Sequence, residues 1–169
     1  SEDMRARARI YETEAKLAFA RDNRFAIVEA PETASRDPIG AGRTLRTRYV
    51  MRTRLTETAG NILADVHLFD TASGISLSAA SAPLDGGQIK FARELYRTVY
   101  PEIILHRAKT LAATQPDSIP ALLWNAEAAR IKTRVGTADP SEFALFEAVL
   151  KREPNQLHAL LGLSNSLIL

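Results

Sequence analysis

Four arginines between residues 46 and 54 are the side chains of this sequence that most clearly favour a chemical role. They are Arg46, Arg48, Arg52 and Arg54, and their even numbers place them on one sheet face if the strand is regular through all four. A guanidinium group binds carboxylates and phosphates through two parallel hydrogen bonds. The alternative is a solvated face whose charges pair across strands with Asp65 and a neighbouring acid, each pair contributing about 0 to 1 kcal/mol. The pattern leaves both interpretations open, a face for an anionic partner or structural ion pairs.

Other residue types that support catalysis or metal binding do not occur in suitable patterns. His67, His106 and His158 are far apart, and none has a partner at the spacing of metal ligands. The sequence contains no cysteine, which excludes disulfides, zinc ribbons and thiol catalysis. The glycine pairs near residues 40 and 86 do not extend into a phosphate-binding loop. We therefore expect no catalytic residue, no cofactor and no metal in this segment.

Composition and charge restrict the class of protein. Of the 169 residues, 46% are hydrophobic and 25% are charged, which is typical of folded globular domains. The sequence contains no apolar run of about 18 residues or more, so it predicts no membrane-spanning helix. The net charge is only +2, so no basic tract indicates nucleic-acid binding by this segment. The sequence begins with serine and ends on Leu167-Ile168-Leu169, which favours a piece of a longer protein, and both a cytoplasmic and a periplasmic location stay open.

Three antiparallel strands are predicted in the middle of the chain. Over Tyr49–Leu55 and Ile62–Phe69, apolar and polar residues alternate with the period of half-buried strands. The turn-forming stretch Asp70–Gly74 precedes a third strand, Ile75–Ala79. A register in which paired residue numbers add to an odd total puts the apolar residues of all three strands on one face. The same register brings two of the arginines near Asp65.

Helices and one further strand are predicted around these strands. Apolar residues recur at three- and four-residue steps over Glu2–Arg21 and Gln88–Ala113, the spacing of amphipathic helices. Pro101 interrupts the second run and predicts a kink or two abutting helices, because proline removes a backbone hydrogen bond. A short helix over Pro38–Leu45 and a buried strand over Phe25–Val28 complete this part of the chain.

Residues 115–169 are predicted to form a separate helical subdomain. The polar stretch Thr114–Ser118 marks the boundary, and its aspartate or serine caps the first of three helices. Asp139–Glu142 has the N-cap acid and first-turn proline of a second helix, and Pro154–Asn155 separates it from a third. The predicted fold class is α/β, with a small mixed or antiparallel sheet packed by helices over residues 1–114, followed by this all-α subdomain.

Two short motifs carry a resemblance to a known family. Residues Gly42–Val50 read GRTLRTRYV, and residues Leu68–Gly74 read LFDTASG. Together with the helices before and after them, they resemble the TolB-like amino-terminal domain of bacterial winged-helix transcriptional regulators and class III adenylate or guanylate cyclases. The resemblance implies an α/β domain that lies downstream of a DNA-binding or cyclase module, and a membrane anchor upstream of it.

The C-terminal residues, 139–169, are similar to tetratricopeptide repeats. Phe146, Ala148 and Pro154 occupy positions of that pattern. A helix pair followed by half of another pair does not distinguish a repeat array from a plain helical bundle. Both interpretations therefore stay open for this subdomain.

Together these observations predict a regulatory role. The leading hypothesis is a non-catalytic sensor and interaction region of a larger bacterial signalling protein, an adenylate cyclase or a transcriptional regulator, that binds a protein or a small ligand. We expect a protein partner or self-association as a homodimer, without direct nucleic-acid binding or membrane insertion by this segment. One alternative is a fragment that contributes to a cyclase active site in trans. The other is a purely structural dimerisation module, which the apolar stretch Leu160–Leu169 favours.

Overall fold

The computed structural model describes residues 2–22, 25–29, 36–58, 61–84, 87–134 and 141–166. These residues form six helices and one three-stranded antiparallel sheet, which confirms the predicted mixed α/β fold class. The chain divides into two compact units, unit 1 over Ser1–Tyr100 and unit 2 over Pro101–Leu169. In chain order the elements are α1 (Glu2–Ala20), α2 (Pro38–Thr44), β1 (Tyr49–Thr58), β2 (Asn61–Asp70), β3 (Ile75–Pro83), α3 (Gly87–Thr114), α4 (Ile119–Arg134), α5 (Ser141–Arg152) and α6 (Leu157–Ser166).

The sheet of unit 1 is a meander in the order β1-β2-β3. β1 and β2 pair antiparallel with Leu55 opposite Ala64, and the paired numbers add to an odd total as predicted. The even-numbered residues Ala64, Val66 and Leu68 of β2 are buried. The register therefore places the apolar residues of β1 on the same face as the buried residues of β2, as the alternation predicts.

β3 departs from the predicted register partway along its length. The pairing with β2 shifts and leaves Leu77 as an extra residue. Beyond this bulge, Ala80 lies opposite Val66, and Ala79 is exposed. A bulge inserts one residue into the alternation and so reverses which side chains face the core. The prediction that Ala79 belongs to the apolar face is therefore wrong.

The buried strand predicted over Phe25–Val28 is also not formed. This stretch has no regular secondary structure, and Ile27 and Val28 expose 42% and 49% of their surface. Phe25 holds the stretch against α1 through an edge-to-face contact with Phe19, with ring centroids 5.7 Å apart. A run of β-forming residues becomes a strand only where a neighbouring strand supplies hydrogen-bond partners. In the described sheet the neighbours of β1 and β3 come from the meander alone.

The predicted helices of unit 1 are confirmed. α1 ends one residue before the predicted position. α2 begins at Pro38, and its N-cap Asp37 accepts a hydrogen bond at Oδ1 from the backbone N–H of Gly40 at 2.9 Å, as expected for a capping aspartate. The apolar side chains that α1 and the first half of α3 bury are Ala15, Phe19, Phe91, Ala92, Leu95 and Val99.

α3 is a single helix that contains Pro101. Two abutting helices, one of the two predicted outcomes, are therefore not formed. The division between the units falls at Tyr100 and Pro101, inside α3, whereas the sequence placed the boundary after residue 114.

Unit 2 has its own core around Phe146 of α5. Ala126, Val149 and Ala159 are buried with it, so each of α4, α5 and α6 contributes a small or apolar residue. A Cβ atom on Gly162 would lie 2.4 Å from Cζ of Phe146, so this close approach of α6 to α5 requires glycine.

The helix starts of unit 2 are described only in part. The Oγ of Ser118 accepts a hydrogen bond from the backbone N–H of Ala121 at 3.2 Å, which confirms the serine as a cap of α4. The predicted cap at Asp139–Pro140 lies outside the described residues. The similarity to tetratricopeptide repeats stays a prediction.

Candidate functional site

Arg52 and Arg54 lie on the outer face of β1, opposite the buried face, and both are exposed. The register puts them opposite His67 and Asp65 of β2. Asp65 accepts a hydrogen bond from the hydroxyl of Ser81 on β3. Within the described part of the chain, neither arginine forms a hydrogen bond or an ion pair. Arg54 thus lies beside Asp65, as the register predicts, but no hydrogen bond joins them.

Arg48 forms an ion pair with Asp70 at the end of β2. Asp70 is fully buried, and its Oδ1 lies 2.6 Å from Nε of Arg48. Its Oδ2 accepts hydrogen bonds from Nη2 of Arg48 at 3.3 Å and from the backbone N–H and hydroxyl of Ser73 at 3.1 and 2.6 Å. Burial alone would raise the pKa of Asp70, but the hydrogen bonds from Ser73 and the charge of Arg48 together lower it. A carboxylate with a lowered pKa is a poor general base near neutral pH, so the pair is suited to holding the fold.

Further contacts join this ion pair to α2. The backbone N–H of Thr71 donates to the carbonyl of Arg48 at 2.9 Å, and Nε of Arg43 donates to the carbonyl of Thr71 at 2.8 Å. A Cβ atom on Gly42 would lie 2.4 Å from Cγ2 of Thr71, so only glycine lets α2 approach the turn this closely. We name this set the corner cluster: Gly42, Arg43, Arg48, Asp70 and Thr71.

Arg46 belongs to neither the strand nor the corner cluster. Its φ of 54° lies in the left-handed region, and it closes α2. The N–H of Arg46 donates to the carbonyl of Arg43 at 3.1 Å, and the N–H of Thr47 donates to the carbonyl of Gly42 at 2.9 Å, the two bonds of a Schellman motif. β1 begins only at Tyr49. The four predicted arginines therefore separate into two on β1, one in the corner cluster and one in the turn.

Asp70 has a role that the sequence predictions omit, although the sequence pattern signals it. It continues the even-numbered series of Ala64, Val66 and Leu68 on the buried face of β2. A carboxylate on an apolar face needs hydrogen-bond donors or a cation, because an unpaired buried charge is costly. The partner Arg48 is harder to identify from sequence, because its position depends on the turn that joins α2 to β1.

The two edges of the sheet are protected in different ways. β3 contains the bulge at Leu77 and ends at Pro83, and both features oppose pairing with a further strand. β1 pairs with β2 over ten residues without an irregularity, and Arg52, Thr53 and Arg54 are all exposed. Among the described residues, no strand lies on the other side of β1. No described strand therefore pairs with the outward backbone groups of β1, and an edge of this kind is a template for an added strand.

Unit 2 presents a different surface on α6. Leu157, Leu160 and Leu161 expose 62%, 42% and 51% of their surface. Their spacing puts them on one face of the helix, and α6 contains no Asp, Glu, Lys or Arg. Exposed apolar faces of this kind mark association sites.

The described histidines belong to no metal-ligand cluster, and the described cleft is small. His67 stacks on Phe69 of the same strand, with ring centroids 6.1 Å apart. In the ranges that the structure describes, no three His, Cys, Asp or Glu residues come together as metal ligands. A cleft of about 230 Å³ beside α1 includes Tyr11 and Leu84 in its walls, and the Tyr11 hydroxyl donates to the Leu84 carbonyl at 3.3 Å. This volume is below the roughly 300 to 1,000 Å³ of typical small-molecule sites.

Among the described helices, none has both the length and the apolar character needed to cross a membrane. No family model, no curated protein and no solved structure matches this chain.

Proposed function

We propose that this chain is a non-catalytic regulatory and interaction region of a larger bacterial signalling protein, and that it binds a protein partner along the edge of β1. The observation that supports this proposal is the regular edge of β1, with which no strand of the described residues pairs and which has the exposed Arg52 and Arg54 on its outer face. Backbone groups of an exposed edge supply the affinity for a further strand, and the side chains beside them select which strand binds.

A regulatory effect requires more than binding. The partner must bind one state of the signalling protein more tightly than another, because a partner with equal affinity for both states does not change their populations. An edge strand suits this role, because pairing orders the partner's backbone and depends on an undistorted strand. Distortion of β1 would therefore weaken binding of the partner.

Site-specific photocrosslinking in the native full-length protein tests this proposal. A photoreactive amino acid at Thr53 is expected to give an adduct with a second protein, whereas the same group at Ile75 on β3, 59% exposed, is expected to give none. The adduct should disappear in the double variant Arg52→Gln/Arg54→Gln and persist in the control Arg36→Gln, which changes another exposed arginine of unit 1. No adduct at Thr53, or one that survives the double substitution, would contradict the proposal.

A second candidate function is dimerisation, which the leucine face of α6 favours. Two copies of an uncharged apolar face associate without bringing like charges together. Light scattering of the chain at increasing concentration tests this candidate, with Leu160→Glu as the variant. A strict monomer at high concentration, or a dimer that Leu160→Glu leaves unchanged, would argue against it.

A further inference from the structure

The side chains on the two faces of β1 determine which kind of strand can pair with its edge. Arg52 and Arg54 stand two residues apart on the outer face, so their side chains are separated by about 7 Å along the strand. On the other face, Met51 and Leu55 are half-buried and Thr53 is exposed. A strand added here therefore meets two cations on one side and mainly apolar surface on the other.

We propose that β1 accepts an extended acidic segment of a partner protein, in which carboxylate side chains alternate with apolar ones. This inference rests on the proposed function, because it names the partner that the same edge binds. Directly opposite residues of paired strands have Cβ atoms about 5 Å apart, within reach of an arginine–carboxylate hydrogen bond. Carboxylates at alternate positions match Arg52 and Arg54, and the apolar residues between them cover Met51 and Leu55.

A second copy of β1 does not fit this edge as well. In pairings that align the two outer faces, Arg52 and Arg54 of both copies would come together on one side of the sheet, and like charges at opposite positions destabilise a strand pair. Positive charge on an edge is one of the devices that prevent a strand from pairing with itself. Asp65, which lies opposite Arg54 on this face, accepts a hydrogen bond from Ser81. Among the described contacts neither guanidinium group forms a hydrogen bond, so both keep hydrogen-bond capacity for a partner. The charge that opposes self-pairing thus favours an acidic strand.

Fluorescence anisotropy with a labelled peptide tests the proposal on the 169-residue chain. The probe contains three glutamates alternating with valines, and its control has glutamine in place of each glutamate. We expect saturable binding of the acidic peptide that weakens as salt is added. Two solvent-exposed ion pairs account for at most about thirtyfold in affinity. Arg52→Gln/Arg54→Gln should therefore weaken binding severalfold, by up to about that factor, and Arg36→Gln should leave binding unchanged.

Alternate N-methylation of the probe tests strand addition itself. Methyl groups on one alternating set of amides remove the hydrogen bonds to β1, whereas methyl groups on the other set point away from it. We expect the first peptide to lose binding and the second to retain it. Equal binding of both methylated peptides would overturn strand addition.

The remaining outcomes separate this inference from the proposed function. If the glutamine peptide binds as tightly as the acidic one, the acidic partner is wrong, although the edge still binds a strand. If no peptide binds while the photocrosslink at Thr53 forms, the inference fails and the proposed function stands. If the acidic peptide binds but no adduct forms in the native protein, the chemistry of the edge is right and the proposed function is wrong.

Discussion

Replacing Asp70 by asparagine removes the charge of the buried ion pair while nearly preserving its shape. Asparagine keeps one oxygen that can accept the hydrogen bonds of Ser73, but its amide group is a donor and faces the guanidinium of Arg48. A hydrogen bond to a charged group contributes about 1.5 to 3 kcal/mol, and removing one member of a buried ion pair costs about 3 to 5 kcal/mol. The Arg48 side chain is 35% exposed, so water partly compensates its charge. We expect Asp70→Asn to lower the free energy of unfolding of unit 1 by about 2 to 3 kcal/mol.

The two units carry different spectroscopic probes, which makes this loss measurable in the whole chain. All four tyrosines lie in unit 1, and the single tryptophan, Trp124, lies in unit 2. In urea unfolding, Asp70→Asn should shift the tyrosine near-UV circular dichroism transition to lower urea concentration, with a smaller effect on Trp124 fluorescence. Asp65→Asn is the matched control, because Asp65 lies on the outer face of the same strand. It should cost less than about 1 kcal/mol.

The pH dependence provides a separate check on the same ion pair. The folded-state pKa of Asp70 is lowered, so its contribution is present above the unfolded value, about 3.9, and is lost as pH falls through the folded pKa. The difference in unfolding free energy between the native chain and Asp70→Asn should therefore be constant near neutral pH and shrink below about pH 4. Two results would refute the reasoning. One is an equal loss of unfolding free energy in Asp70→Asn and Asp65→Asn. The other is a free-energy difference between the native chain and Asp70→Asn that does not shrink in acid.

Three further substitutions test other features of the two units by the same urea experiments. Arg46→Gly should stabilise unit 1 by about 1 kcal/mol, because glycine adopts the left-handed backbone without strain, and an unchanged midpoint would contradict this. Gly162→Ala should cost unit 2 more than about 2 kcal/mol, because the new Cβ overlaps the ring of Phe146. Adding Phe146→Leu to that variant should cost less than the sum of the two single changes, whereas additive losses would exclude the overlap. Ser118→Ala should cost about 1 kcal/mol through the lost cap of α4, visible as an earlier transition of Trp124.

Local patterns predicted most of the elements, and the failures arise where tertiary structure decides. Alternation along β1 and β2 was sufficient, and so was the proline that predicted the start of α2 at Pro38, because each depends on neighbouring residues. The exposed stretch Phe25–Val28 has the composition of a strand, but whether it pairs depends on a neighbour distant in sequence. The bulge at Leu77 likewise depends on how β3 fits against β2. The four arginines followed one parity rule, which assumed a strand that in fact begins only at Tyr49.

The contacts of the corner cluster change what the two sequence motifs can be taken to mean. All five of its members lie within those motifs. Gly42, Arg43 and Arg48 belong to the first, and Asp70 and Thr71 belong to the second. Each is required by its neighbours, the glycine by the space beside Thr71, the arginines and the aspartate by their hydrogen bonds. Because the fold alone explains these residue types, the motifs indicate how α2 packs against the end of the sheet. They do not indicate which ligand or partner the chain binds. Arg52 and Arg54 have no such structural explanation among the described contacts, so function is better sought where they lie, on the edge of β1.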